Sequence, residues 1–147
     1  MAEEATRVVR IERTFDASAE EVFDAWTSED VISRWFKPGT GWREARADVD
    51  LRVGGTIRVV MHNPEGEPVG AGGEYTLIER PHRLAFTWTF DDEPSNLQMI
   101  ELEFTEEGGV TRVLFVNSDI SEEQRRDAQY EGWSACFDEM GRVLESQ

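Results

Sequence analysis

Apolar and polar residues alternate along most of the chain, and this alternation predicts β-strands. The clearest run is Leu84, Phe86, Trp88 and Phe90, in which every second residue is large and apolar. A period of two is typical of a strand with one buried face. Further strands are predicted at residues 7–16, 47–53, 56–62, 70–79, 97–105 and 110–117. The connections after the second of these strands are short, so these strands should form an antiparallel meander.

The segment 47–53 ends in two consecutive glycines. Val49, Leu51 and Val53 occupy one face of this segment and are predicted to point into the core. Gly54-Gly55 follows directly, and glycine in a strand weakens the pairing or marks a bulge. We therefore expect the strand to break or bend after Val53.

Helical periodicity replaces the alternation in three places. Ser18 is followed three residues later by Glu21, a capping box that predicts a short helix. Ser28 is expected to cap a second short helix that ends near Trp35. Another capping box at Ser121 opens a helix of about 24 residues, which is longer than the ~11–12 residues of an average helix. Its predicted apolar stripe is Tyr130, Trp133, Phe137, Met140 and Leu144.

The order of these elements predicts an α+β fold in a single domain that spans residues 1–147, with a core at 7–144. A strand comes first, two short helices follow, then about six strands and one long helix. The apolar face of such a sheet must be covered, and the C-terminal helix is the element long enough to cover it. A curved antiparallel sheet of about six to seven strands should therefore wrap around this helix.

The charge of the chain excludes several kinds of partner. The sequence has 31 acidic and 15 basic residues, so its formal net charge is −16. Nucleic acids and anionic membrane surfaces both require clustered basic residues, and neither is predicted as a partner. Lys37 is the only lysine among the basic residues. An arginine-favouring genome and a salt-adapted host both account for this composition, and the sequence leaves the choice open.

The lone cysteine bears on the compartment and on the chemistry. Cys136 cannot form an intramolecular disulfide, and no apolar run resembles a signal peptide or a spanning helix, so a cytoplasmic location is predicted. It adjoins the apolar stripe and is interpreted as a small buried hydrophobe. His62 and His82 lie at turns and make no metal-binding motif. No catalytic residue, metal or cofactor is predicted.

Several short motifs together resemble a known superfamily. In order, they are Phe15-Asp16-Ala17-Ser18, Trp35-Phe36-Lys37-Pro38, Asp50-Leu51-Arg52-Val53-Gly54-Gly55, Pro81-His82-Arg83-Leu84 and Gly132-Trp133. The chain resembles the START-like (SRPBCC) helix-grip superfamily, which includes lipid-transfer START domains and plant pathogenesis-related proteins. The resemblance is closest to single-domain relatives of the activator of heat-shock-protein-90 ATPase. It implies a cavity between the sheet and the long helix.

The candidate ligand-binding residues are large side chains expected to face that cavity. They are Trp35, Met61, Tyr75, Trp88, Trp133, Phe137 and Met140. For Trp88 and Trp133, ordinary core packing is the alternative interpretation. Tyr75 or Arg52 could hold a polar head of the ligand. Gly132, in the middle of the long helix, suggests either close approach of the sheet or of a ligand or a kink in the helix, and close packing is favoured.

The resulting hypothesis is that the protein binds an apolar or amphipathic small molecule. One alternative is an enzyme of the cyclase or hydrolase type that uses the same cavity. The other is a co-chaperone-like module with a chaperone partner. The sequence is compatible with a monomer or a homodimer.

Overall fold

Seven strands form one antiparallel sheet in the computed structural model, which describes residues 7–145. The strands are β1 (Val9–Phe15), β2 (Arg46–Val49), β3 (Thr56–His62), β4 (Pro68–Glu79), β5 (Arg83–Phe90), β6 (Gln98–Glu107) and β7 (Val110–Ser118). The helices are α1 (Ala19–Thr27), α2 (Glu29–Trp35) and α3 (Glu123–Glu145). The sheet is curved and α3 is the long C-terminal helix, which confirms the predicted fold class.

The strand order explains why two short helices follow β1. The order across the sheet is β1-β7-β6-β5-β4-β3-β2, so β2 to β7 form a simple meander. The first strand pairs with the last, from Val9 opposite Asn117 to Phe15 opposite Thr111. Consequently α1 and α2 carry the chain from one edge of the sheet to the other. No helix within residues 7–145 is long and apolar enough to cross a membrane.

The start of α1 follows the predicted capping box. The Ser18 hydroxyl accepts a hydrogen bond from the backbone N–H of Glu21 at 3.1 Å, and the Glu21 carboxylate accepts one from the Ser18 N–H at 3.1 Å. These bonds satisfy two N–H groups that have no partner inside the helix. Ser28 occupies the N-cap position of α2, but its side chain makes no capping bond, so that detail of the prediction is wrong.

The long helix differs from the prediction at its beginning. Ser121 does not form the expected capping box, because its hydroxyl donates instead to the carboxylate of Glu93, with oxygens at 3.0 and 3.1 Å. The helical period predicts Tyr130 in the apolar stripe, and this is wrong, because Tyr130 is 42% exposed and its ring lies against the guanidinium of Arg126. The remaining stripe residues are buried, as are their neighbours on the same face; they are Trp133, Cys136, Phe137, Met140 and Leu144.

The strand predicted at residues 47–53 is shorter than expected. β2 ends at Val49, while Leu51 is 39% and Val53 62% exposed, so the prediction that both point into the core is wrong. The chain turns sharply here: a Cβ at Gly55 would lie 2.2 Å from the carbonyl oxygen of Asp50. Gly54 has a φ of 86°, a conformation that favours glycine. The two glycines therefore make a tight corner that only small residues allow.

Replacing Gly141 with Ala should stabilise the protein by about 1 kcal/mol, the usual difference between these residues inside a helix. The new Cβ would lie 3.7 Å from the Phe15 ring, an ordinary contact. Gly132→Ala is the matched control, because its Cβ would lie only 3.3 Å from Cβ of Pro38 and the gain should be smaller or absent. Urea unfolding measures both variants, and a loss of stability in Gly141→Ala would contradict this packing.

Candidate ligand-binding site

A cavity of about 220 Å³ lies beside the first half of α3. Its walls come from the segment after α2, from β3, β4 and β5, from the loop after β5, and from one face of α3. The lining residues are Phe36, Pro38, Trp42, Met61, Val69, Phe90, Asp92, Arg125, Ala128, Gln129, Gly132, Trp133 and Cys136. An apolar lining with a few polar groups is typical of small-molecule sites.

Small residues on α3 make room for the cavity. Ala128, Gly132 and Cys136 follow one another at intervals of four residues, so they share one face of the helix. All three line the cavity, with Trp133 beside them. Gly132 also lets Pro38 approach the helix, because an added Cβ would meet the Pro38 ring at 3.3 Å. Close packing at Gly132 is therefore confirmed, although the approaching residue belongs to the segment after α2 and not to the sheet.

A buried hydrogen-bond network holds the indole of Trp133 in place. Its Nε1 donates to Oδ1 of Asn117 at 3.2 Å, and Nδ2 of Asn117 donates to Oε1 of Gln98 at 3.0 Å. Asn117 and Gln98 are 0% and 1% exposed. Buried polar groups that are all paired rigidify a core. The orientation of Trp133, and with it one wall of the cavity, is fixed from the sheet.

An ion-pair cluster joins the rim of the cavity to the loop after β5. Arg125 has a guanidinium nitrogen 3.4 Å from the Asp92 carboxylate and another 3.2 Å from the Glu93 carboxylate. Glu93 also accepts the hydrogen bond from Ser121. Ala128, one turn along the helix from Arg125, is exposed and lines the same cavity. The cavity therefore reaches solvent beside Ala128.

Gln129 lines the cavity and has an unusual environment. Its side-chain nitrogen and oxygen are both sealed from solvent, and neither has a hydrogen-bond partner. Leaving a buried donor or acceptor unpaired costs roughly 1–3 kcal/mol. Because neither atom has accessible surface, the amide group does not face the cavity, and Gln129 lines it with other atoms of its side chain or backbone.

The thiol of Cys136 is not an activated nucleophile. It is buried, and burial raises its pKa well above the ordinary value because the thiolate would be desolvated. The reactive species of a cysteine is the thiolate, so this thiol stays neutral and inert. Among residues 7–145, no group of three or more His, Cys, Asp or Glu side chains could hold a metal ion.

The structure places only some of the predicted ligand-binding residues at this cavity. Met61 and Trp133 are part of its lining. The others are buried in the core and are not part of the lining; they are Trp35, Tyr75, Trp88, Phe137 and Met140. Arg52, the suggested partner for a polar head, lies on the surface and pairs with Asp50 at 2.9 Å.

The buried aromatic residues contact one another. The ring of Trp88 lies 5.8 Å from that of Trp133 between centroids, and Phe137 stacks on Phe15 at 6.2 Å. Nε1 of Trp35 donates to the carbonyl of Ala25 at 2.6 Å, which fixes α2 against α1. These large apolar side chains suggested a ligand pocket in the sequence, but in the structure they pack against one another as ordinary core residues.

Several cavity residues were missed in the sequence. They are Phe36, Pro38, Trp42, Val69, Phe90 and Gln129. A usable signal was the row of small residues Ala128, Gly132 and Cys136, which lies beside the aromatic stripe of α3 rather than within it. The sequence also contains a signal for the network that holds Trp133. Gln98 and Asn117 are polar, but each lies at a position of its strand that alternates in step with the buried apolar residues.

Comparisons with known proteins agree with this architecture. No curated protein matches the sequence. A protein from Mycobacterium smegmatis is 25% identical, with 100% of this chain and 96% of that chain covered and a TM-score of 0.82. An AHSA1-like protein from Aeromonas hydrophila is 27% identical, with coverages of 95% and 92% and a TM-score of 0.77. The AHSA1 protein from Silicibacter pomeroyi is 23% identical, with coverages of 95% and 98% and a TM-score of 0.81.

A family model gives the assignment. The model described as Activator of Hsp90 ATPase homolog 1-like protein matches residues 16–145, which include both short helices, the meander and α3. The chain therefore belongs to the Activator of Hsp90 ATPase homolog 1-like family.

Proposed function

We propose that this protein binds an apolar or amphipathic small molecule in the cavity beside α3. The observation that carries the proposal is the cavity itself: about 220 Å³ of space with a largely apolar lining, reached from solvent beside Ala128. An apolar cavity of about 150 Å³ is enough to bind benzene. The present cavity is larger and matches a molecule of about two fused rings.

The way the cavity is built supports a binding role over a packing defect. Empty apolar space loses dispersion contacts, so cores normally close around it. Here Gly132 occupies a helix interior at a cost of about 1 kcal/mol relative to Ala. Meanwhile Trp133 is fixed by the hydrogen bond to Asn117 and cannot swing into the space without losing it. These features keep the space open.

The alternatives have less support. An enzyme would need an activated group at the cavity, and Cys136 has its pKa shifted in the unreactive direction by burial. The family's name refers to activation of the Hsp90 ATPase, which is the basis for a co-chaperone role. Within residues 7–145, the feature with the chemistry of a specific site is the cavity, so small-molecule binding is the function supported best.

A thermal-shift screen tests this function. The panel contains naphthalene and other fused bicyclic aromatics, monoterpene isoprenoids and medium-chain fatty acids, which are of a size that the cavity can hold. A ligand at 100 times its dissociation constant adds about 2.7 kcal/mol of stability. For a domain of about 150 residues this raises the unfolding midpoint by roughly 5–11 °C. A panel that leaves the midpoint unchanged in a cooperatively unfolding protein would contradict the proposal.

A further inference from the structure

A line of side-chain amides leads from the indole of Trp133 to the loop between β5 and β6. The indole donates to Asn117 at 3.2 Å, and Asn117 donates to Gln98 at 3.0 Å. Nε2 of Gln98 in turn donates to Oδ1 of Asn96, in the loop, at 3.1 Å. Gln98 is 1% exposed, so Asn96 supplies an acceptor that this buried nitrogen needs. The side chains of Asn117, Gln98 and Asn96 form an amide network.

The two ends of the amide network fix the direction of every bond in it. An indole N–H only donates, so the atom of Asn117 that faces Trp133 must be the oxygen, and its nitrogen must face the next amide. At the other end, the backbone N–H of Ser121 donates to Oδ1 of Asn96 at 3.2 Å. The carbonyl of Asp119 accepts from Nδ2 of Asn96 at 2.8 Å. None of the three amides can turn over without placing a donor against a donor.

Asn96 also connects the amide network to the mouth of the cavity. Ser121, whose N–H it accepts, donates through its hydroxyl to the Glu93 carboxylate at 3.0 Å. Glu93 pairs with Arg125 at 3.2 Å, and Arg125 is part of the cavity lining. Asn96 itself is outside the lining. One side chain is therefore linked to the inner wall of the cavity in one direction and to its mouth in the other.

From these bonds we propose that Asn96 is a positioning residue of the cavity, which holds Trp133 in the orientation that leaves the cavity open and does not contact the ligand. Without this acceptor, the buried amide of Gln98 would have to turn toward another partner, and Asn117 would turn with it. The indole would then adopt orientations that fill part of the cavity. This inference rests on the proposed function, since it concerns the same cavity.

Asn96→Ala tests the effect on binding. A ligand binds only those molecules in which the cavity is open, so the apparent affinity falls with their fraction. The variant should bind naphthalene about fivefold more weakly, the factor that corresponds to one hydrogen bond of about 1 kcal/mol. Ser95→Ala is the matched control, because Ser95 is exposed on the same loop and outside the lining, and it should bind like the unmodified protein. Calorimetric titration measures the dissociation constants.

Hydrogen exchange of the indole N–H groups separates positioning from a general loss of stability. Nε1 of Trp35 is the internal reference, because it donates to the carbonyl of Ala25 at 2.6 Å, outside the amide network. In Asn96→Ala, the N–H of Trp133 should exchange at least fivefold faster relative to that of Trp35. A general loss of stability would speed both exchanges equally. NMR of protein with nitrogen-labelled tryptophan measures the rates, and Trp133→Phe identifies the signal.

The outcomes separate this inference from the proposed function. Equal acceleration of the two indoles, or unchanged naphthalene binding in folded Asn96→Ala, would overturn the positioning role and leave the cavity as a binding site. Failure of naphthalene to bind the unmodified, folded protein would contradict the cavity as a binding site for molecules of this size, and so the proposed function and this inference with it.

Discussion

Replacing Trp133 with Ala is expected to lower the free energy of unfolding by roughly 4–8 kcal/mol. The indole is buried and has ring neighbours on several elements, among them Phe115 at 4.8 Å and Phe36 at 5.3 Å between centroids. Truncating a buried Trp to Ala costs about 3–5 kcal/mol. The change also leaves Oδ1 of Asn117 without its donor in a fully buried position, which adds about 1–3 kcal/mol.

Trp133→Phe is the control that separates packing from hydrogen bonding. It keeps an aromatic ring against Phe115 but removes the N–H, so the expected loss is about 1–3 kcal/mol. Denaturant unfolding of both variants gives the two values. A loss below about 1 kcal/mol in Trp133→Ala would show that this side chain does not hold the core as its contacts indicate.

The same substitution bears on binding. Trp133 lines the cavity as well as the core, so a folded Trp133→Ala variant should no longer bind naphthalene. Unchanged affinity in that variant would place the bound molecule elsewhere.

The order of elements could be predicted from the sequence because each element has a strong local signal. The alternation of Leu84, Phe86 and Trp88 and the capping box at Ser18 both depend on residues close in the chain. The errors lie where a distant contact decides. β2 ends at Val49 since Gly54 and Gly55 bond to Tyr75 of β4, and Ser121 bonds to Glu93 instead of capping its own helix.

The candidate site was harder to predict for a related reason. Strand phase and helical period indicate which side chains point inward, and they do so correctly for Trp88 and Phe137, which are both buried. They do not indicate which inward side chains fill the space between them and which leave part of it empty. That depends on the summed volumes of residues from several elements, and the empty part lies beside Gly132 and Ala128, where α3 has little side chain.

Polar residues at inward-facing positions indicate a specific structural role more reliably than aromatic residues at such positions do. Gln98 and Asn117 form the network that orients Trp133. A buried amide must be paired or it destabilises the protein, so its position in a strand or helix points to a specific requirement. A buried Trp or Phe is ordinary in any core and carries less information.

Replacing Ala128 with Trp should lower the affinity for naphthalene several-hundredfold while leaving the fold intact. Ala128 is exposed and lines the cavity, so the new indole can lie over its entrance without displacing core residues. A Trp side chain covers 150–250 Å². If it takes the place of about 150 Å² of ligand contact, the loss at 25 cal/mol per Å² is nearly 4 kcal/mol.

Glu131→Trp is the matched control, since Glu131 is exposed on the same helix but outside the cavity lining. Both variants should unfold near the midpoint of the unmodified protein, and only Ala128→Trp should fail to bind. This pair tests binding without the loss of stability that accompanies changes at Trp133. Wild-type affinity in Ala128→Trp would mean that the probe enters the protein by another route or binds another surface, and the assignment of the cavity would have to be abandoned.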